Sequence, residues 1–149
     1  MNPSETLSYK LHAVVYSIDG LSNRIFRDNS DVCFPQFLII LCAYQNPGHT
    51  QKFAAKWLQL TEATVSYMVK VVHKKGYIDV KLDEDDLRTR NIFVTDSGKE
   101  LIERIYPMLE ESLGGLFSDI DPKGMADFMH GLDLVYKNLN NKMEEYKCI

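Results

Sequence analysis

The chain has 149 residues, 45% of them hydrophobic and 26% charged, with a formal net charge of -4. These values lie in the ordinary globular range and support one core, or one core with a dimerisation arm. The longest apolar run, Phe37 to Tyr44, falls short of the ~18 residues of a membrane-spanning helix, and Met1-Asn2-Pro3-Ser4-Glu5 lacks the basic and apolar parts of a signal peptide, so a soluble cytoplasmic protein is expected. Cys33, Cys42 and Cys148 are widely spaced and outside any CxxC pattern, which argues against a disulfide scaffold.

Leu7, Leu11, Val14, Val15, Ile18, Leu21 and Ile25 recur at three- and four-residue steps and predict one long amphipathic helix, broken by the polar cluster Arg27 to Asp31. Phe34-Pro35-Gln36 opens a second, apolar helix that ends at Asn46-Pro47-Gly48. Thr50 can cap a short third helix through Leu58, with a tight connection at Gln59-Leu60. Thr61 can then cap a fourth, whose inner face is Val65, Met68, Val69 and Val72 and whose end is Lys74-Lys75-Gly76. Two short helices joined by a tight turn form a helix-turn-helix. The period next changes from 3.6 to 2, with Ile78, Val80 and Leu82 before the acidic turn Asp83-Glu84-Asp85-Asp86, and Ile92 and Val94 after Arg90. A hairpin directly after a helix-turn-helix is the winged-helix arrangement.

Thr95 can cap a fifth helix carrying Leu101, Ile102, Ile105, Leu109, Leu113, Leu116 and Phe117, with a kink expected at Pro107. A last helix from about Pro122 carries the stripe Met125, Phe128, Met129, Leu132, Val135, Leu139 and Met143, more than a peripheral helix of a small domain buries alone. The fold expected is mainly α with a small β-hairpin wing: a winged helix-turn-helix at 34–106 and a helical dimerisation region at 1–33 with 107–149. Charge follows this division. Residues 51–99 carry nine basic and seven acidic side chains, against five and ten in 100–149, so the middle third is the basic one.

Thr64-Val65-Ser66, then Lys74-Lys75-Gly76-Tyr77-Ile78, then Asp86-Leu87-Arg88, then Val94-Thr95-Asp96-Ser97-Gly98, in this order and spacing, resemble the MarR family of transcription regulators. The resemblance runs from about Tyr9 to Met143. It implies an obligate homodimer with interleaved terminal helices and two lobes on a palindromic double-stranded DNA operator, most often as a repressor. The chain departs from the family pattern at Gln59, where a small residue such as Gly is common, and at Tyr67 and Leu87, where Arg is common.

The candidate DNA contacts are Thr61, Ala63, Thr64, Ser66, Tyr67, Lys70, Lys74, Lys75, Asp86, Arg88 and Arg90. Small hydroxyls near a helix N-terminus suit the major groove, where the helix dipole favours phosphate. Tyr67 can pack on a sugar or a thymine methyl. Arg88 at the hairpin tip can enter a narrow minor groove, with Asp86 expected to hold its side chain by a charge-assisted hydrogen bond. The alternative is a solvated ion pair of little worth. Arg90 meets a phosphate or solvent. Lys52, Lys56, Lys74 and Lys75 supply phosphate attraction, and Lys74 and Lys75 also complement the C-terminal dipole of their helix.

His12, His49, His73 and His130 have no metal-ligand spacing, and neither a GxSxG nor a phosphate-cradling Gly-rich loop is present, so no metal, cofactor or enzyme chemistry is expected. The resemblance also implies a small aromatic or anionic effector between the dimerisation region and the DNA lobe. Tyr9, His12, Tyr16, Cys42 and Tyr44 are its candidate lining; Tyr9, His12 and Tyr16 share a helical face, and the alternative is that they are dimer core with polar tips. Cys33 near a helix start is either a reactive thiol or an inert one. The rival reading from another class is a winged-helix protein-interaction module without DNA binding, motivated by the acidic balance and by Tyr67 and Leu87.

Overall fold

A computed structural model of the chain describes residues 3–83, 86 and 88–147. Glu84, Asp85, Leu87, Cys148 and Ile149, as well as Met1 and Asn2, lie outside the described residues. The chain divides into two compact units, Met1–Ser112 and Leu113–Ile149.

A 3-10 turn at Pro3–Glu5 leads into α1 (Leu7–Asn29), capped by Thr6, whose hydroxyl oxygen accepts from the Tyr9 amide. The apolar stripe expected on α1 is only partly covered. Leu11, Ile18, Leu21 and Ile25 are half-buried, Leu7, Val14 and Val15 are exposed, and full burial is reached only at Ser22 and Phe26. Phe26 roots the helix in the first unit, with its ring 5.2 Å from Phe37 and 5.9 Å from Phe34. α2 (Phe34–Gln45), with Pro35 in its first turn, contributes Phe37, Ile39, Ile40, Cys42 and Ala43 to the core. Its neighbours there are α4 and the sheet.

The turn after α2 brings in an element with no period to announce it. Gly48 adopts φ +78°, which glycine takes without steric cost, and sends the chain into β1 (His49–Thr50). α3 (Gln51–Leu58) and α4 (Glu62–Lys74) follow as expected, each capped by its threonine: Thr50 Oγ1 accepts from the Phe53 amide and Thr61 Oγ1 from the Thr64 amide. Val65, Met68, Val69 and Val72 form the buried face of α4. Gly76, at φ +81°, closes the helix in the C′ position.

β2 (Ile78–Leu82) and β3 (Arg90–Val94) form the expected hairpin, with Ile78 opposite Val94, Val80 opposite Ile92 and Leu82 opposite Arg90. β1 adds a third antiparallel strand on the other edge of β3, so the order is β1-β3-β2 and His49 also faces Ile92. Ile78 and Ile92 are fully buried between the sheet and the helices.

α5 (Asp96–Gly114) starts at a junction that explains the Thr95 and Gly98 pair. Thr95 Oγ1 accepts from the Gly98 amide at 3.1 Å and donates to the Gly76 carbonyl at 2.6 Å, while the Thr95 amide donates to the Tyr77 carbonyl at 3.1 Å. The helix start lies so close to the α4–β2 connection that a Cβ on Gly98 would overlap the Tyr77 carbonyl and sit 2.7 Å from Val94 Cγ2. Leu101, Ile102, Ile105 and Leu109 are its buried face. The helix ends at Gly114, earlier than Phe117, and residues 115–117 form a 3-10 turn in which Leu116 and Phe117 are exposed.

In the second unit, Asp121 Oδ1 accepts from the Gly124 amide at the start of α6 (Pro122–Lys147). Met125, Leu132 and Val135 are half-buried, while Phe128, Met129, Leu139 and Met143 are exposed. No helix among the described residues is long and apolar enough to cross a membrane.

Candidate nucleic-acid interface

The turn that sets α4 against α3 is tight because Gln59 adopts the left-handed conformation, φ 57° and ψ 40°. The Leu60 amide then reaches back to the Ala55 carbonyl at 2.9 Å. At 100° per residue, Ala63, Tyr67, Lys70 and Lys74 form a stripe diametrically opposite the buried valines and Met68. Thr64 and Ser66 flank it. Thr64 is exposed, with its hydroxyl 2.8 Å from that of Thr61, so the cap consists of two linked hydroxyls as well as the amide bond.

Between α4 and the wing runs an open cleft of about 820 Å³. Its walls are Thr50, Gln51 and Lys52 at the start of α3, Ser66, Val69, Lys70 and His73 on α4, and Val80, Leu82, Arg88, Thr89 and Arg90 on the wing. Four cationic side chains and a histidine line it and, among the described residues, no carboxylate does, although the chain as a whole is acidic. The apolar floor of Val69, Val80 and Leu82 was not legible in the sequence. Nor were Thr50, Gln51, His73 and Thr89, which come together only because β1 and the hairpin share one sheet.

The wing tip corrects one expectation. The Asp86 carboxylate does not hold the Arg88 guanidinium. Its Oδ1 accepts from the Arg88 amide at 3.0 Å, and its Oδ2 accepts from the Thr89 hydroxyl at 2.8 Å. An aspartate reaches its own backbone two residues on at less entropic cost than it fixes a long arginine side chain. Asp83 completes the turn, with Oδ1 accepting from the Asp86 amide and Oδ2 from the Asn91 side chain. Asp83 and Asp86 therefore build the turn, and among the described residues no ion pair engages Arg88, Arg90, Lys52 or Lys70.

Lys75 sits differently. Its ammonium donates to the Asp31 carbonyl and pairs with Asp31 Oδ2 at 3.2 Å, while the Tyr77 hydroxyl donates to Asp31 Oδ1 at 2.7 Å. The Tyr77 hydrogen bond, and then Lys75, hold the Asp31 carboxyl below its usual range, and burial, then Asp31, raises the Tyr77 phenol. This cluster ties the end of α1 to the α4–β2 connection, outside the cleft. Lys74 is exposed on the outward stripe but does not line the cleft either.

The candidate effector residues separate into two groups. Tyr9, His12, Tyr16 and Tyr44 are exposed. Cys42 is fully buried, its Sγ is 3.6 Å from His49 Nε2, and burial pushes its thiol up to about 11. His49 Nδ1 donates to the Asn46 carbonyl at 2.8 Å, which leaves Nε2 to accept from the thiol. Burial also holds the His49 imidazole below its ordinary value, in the neutral form. Cys33 is exposed at the N-cap of α2, its amide donating to Gln36 Oε1.

A helix-turn-helix whose second helix and hairpin enclose a cationic cleft is a winged helix-turn-helix of the kind transcriptional regulators carry. The MarR family model matches residues 34–89, from α2 through the wing tip. The HTH-type transcriptional regulator YybA of Bacillus subtilis (strain 168) is 26% identical over 142 residues, 90% of this chain and 89% of that protein. The S. aureus MepR–DNA complex matches with a TM-score of 0.82 at 25% identity, over 89% of this chain and 98% of that one. The PcaV transcriptional regulator from Streptomyces coelicolor, in complex with its natural ligand, shares the fold at a TM-score of 0.80 and 17% identity, over 92% and 96% of the two chains. Over α2 to the wing tip the chain is therefore similar to the MarR family of transcriptional regulators.

Proposed function

We propose that the protein is a homodimeric repressor that grips the two halves of a palindromic operator. Each α4 enters a major groove, and each wing lays Arg88 into the flanking minor groove. The observation that carries this reading is the cleft of Lys52, Lys70, His73, Arg88 and Arg90, cationic within an acidic chain and, among the described residues, free of carboxylates. Because Asp86 is spent on the wing backbone, the Arg88 guanidinium is left to bind DNA. The DNA-bound MepR structure supports the same use of the fold. Dimerisation is supported by apolar surface that a single chain leaves open: Leu7, Val14 and Val15 on α1, and Phe128, Met129, Leu139 and Met143 on α6. In such a dimer the two recognition helices occupy successive major grooves when their half-sites lie about 10 to 10.5 base pairs apart.

A small aromatic or anionic effector that prefers another lobe separation lowers operator affinity by its differential affinity for the two forms. Its lining in this reading is Tyr9, His12, Tyr16 and Tyr44, and the ligand in the PcaV structure supports that use of the fold. Cys42, shut in against His49, backs this wall from inside rather than meeting the ligand.

The test is a binding series on the DNA upstream of the protein's own gene, and on duplexes selected from a random pool, across salt concentrations. A specific complex is expected whose affinity falls steeply with salt. Arg88→Ala should weaken it by about 1–3 kcal/mol and flatten the salt slope by about one unit. Absence of any sequence-specific complex at low salt refutes the reading and favours a protein-interaction module.

A further inference from the structure

The chemistry of α4 narrows what its outward face can read. In the major groove, guanine is read by Arg or Lys, adenine by Asn or Gln, cytosine by Glu or Asp, and the thymine C5-methyl by apolar surface. Residues 62–74 contain no Arg, Asn or Gln. A recognition helix meets base edges mainly with its N-terminal residues. On this helix the outward-facing ones are Ala63, Thr64 and Tyr67, whereas Glu62, its one carboxylate, lies 100° round the helix from Ala63 and off the stripe. Ala63 offers only a methyl group. The Thr64 hydroxyl already lies 2.8 Å from that of Thr61. Tyr67 is the large side chain of the stripe, 67% exposed and opposite the buried face, so its ring has no structural task within the domain. The lysines of the stripe, Lys70 and Lys74, come one and two turns later, and Lys70 faces the wing cleft.

We propose that Tyr67 is a specificity-determining residue that reads a thymine methyl group by apolar contact of its ring. Ala63 packs beside it, so each half-site carries a thymine where this pair meets the groove. The proposal rests on the operator-binding reading above and adds the base class and the side chain that selects it. It requires the ring and not the hydroxyl. It also requires the methyl and not the hydrogen-bonding edge of the base.

The experiment uses the full-length protein and an operator taken from random-pool selection, with each thymine of one half-site replaced in turn by deoxyuridine. That exchange removes the methyl and leaves base pairing intact. One position is expected to lose about fourfold in affinity, the worth of one buried methyl group. Tyr67→Ala should bind that operator more weakly and show no further loss on the uracil exchange, while Tyr67→Phe should keep the full methyl dependence. Cytosine at the same position should bind poorly and recover in part as 5-methylcytosine. Because Tyr67 is exposed, an unchanged melting temperature in both variants serves as the folding control. If a specific operator shows no methyl dependence at any position, or if Tyr67→Phe abolishes it, the proposal fails while operator binding stands. If no specific complex forms with any duplex, operator binding itself fails and the proposal falls with it.

Discussion

Gly98→Ala tests the junction on which the wing and α5 both depend. Gly98 is the third residue of α5, and at an ordinary exposed helical site exchanging glycine for alanine stabilises by up to about 1 kcal/mol. Here the added Cβ would overlap the Tyr77 carbonyl and stand 2.7 Å from Val94 Cγ2. Backbone cannot rotate away as a side-chain end can, so the first turn of α5 has to retreat. Overpacking of this kind costs roughly 1–3 kcal/mol. The retreat also stretches the Thr95 bonds to the Gly76 and Tyr77 carbonyls, each worth about 1 kcal/mol. After the gain in helix propensity, the net loss is about 3 kcal/mol, or roughly 6–12 °C in melting temperature for a chain of this size. Thermal and urea unfolding at fixed protein concentration measure it, with Trp57, the single tryptophan, as the fluorescent reporter. Gly114→Ala is the control, since Gly114 has helical angles (φ -60°, ψ -36°) and open space at its Cβ, and it should melt no lower than wild type. If Gly98→Ala melts within about 2 °C of wild type, the junction does not constrain the fold as argued.

Two further outcomes are expected. Gln59→Gly relieves a left-handed, non-glycine residue in the α3–α4 turn and should raise stability by about 0.5–1 kcal/mol, with operator affinity unchanged; a destabilised variant in urea unfolding refutes it. His49 is neutral in the fold, whereas the unfolded chain takes up a proton as the pH falls through about 6.5. Its contribution is therefore full above that value and is lost as the pH drops towards the lower folded value, so wild type should lose more stability between pH 7.5 and 5.5 than His49→Asn, and equal losses refute the assignment.

The helices were legible because each carries its own local signals. Thr50, Thr61 and Thr95 mark three starts, Gly76 marks a stop, and the valines of α4 recur at the helical period. The hairpin was legible from Ile78, Val80, Leu82, Ile92 and Val94. β1 was not, because two residues carry no period and His49–Thr50 becomes a strand only by lying beside β3. The same reason hid the cleft, whose lining comes from α4 and from the start of α3 and the wing, the last two joined by that sheet. The exposed side of α1 differs again: its stripe is apolar by pattern, but a pattern does not say which chain covers it. At the wing tip, Asp86 was expected to hold the Arg88 guanidinium, yet the bond is made to the Arg88 backbone amide, because sequence spacing does not tell a side-chain partner from a backbone one.

The central position of β3 has a mechanical consequence. A wing attached only through its hairpin partner would swing on its own, whereas this one is also stitched to the start of α3 through β1 and the Gly48 amide, 2.9 Å from the Ile92 carbonyl. Tilting it therefore breaks backbone hydrogen bonds at the root of the helix-turn-helix. On the proposed operator, the major-groove and minor-groove grips would therefore be geared together within a lobe: when one lets go, the other would be pulled out of register, and a half-site released as a whole.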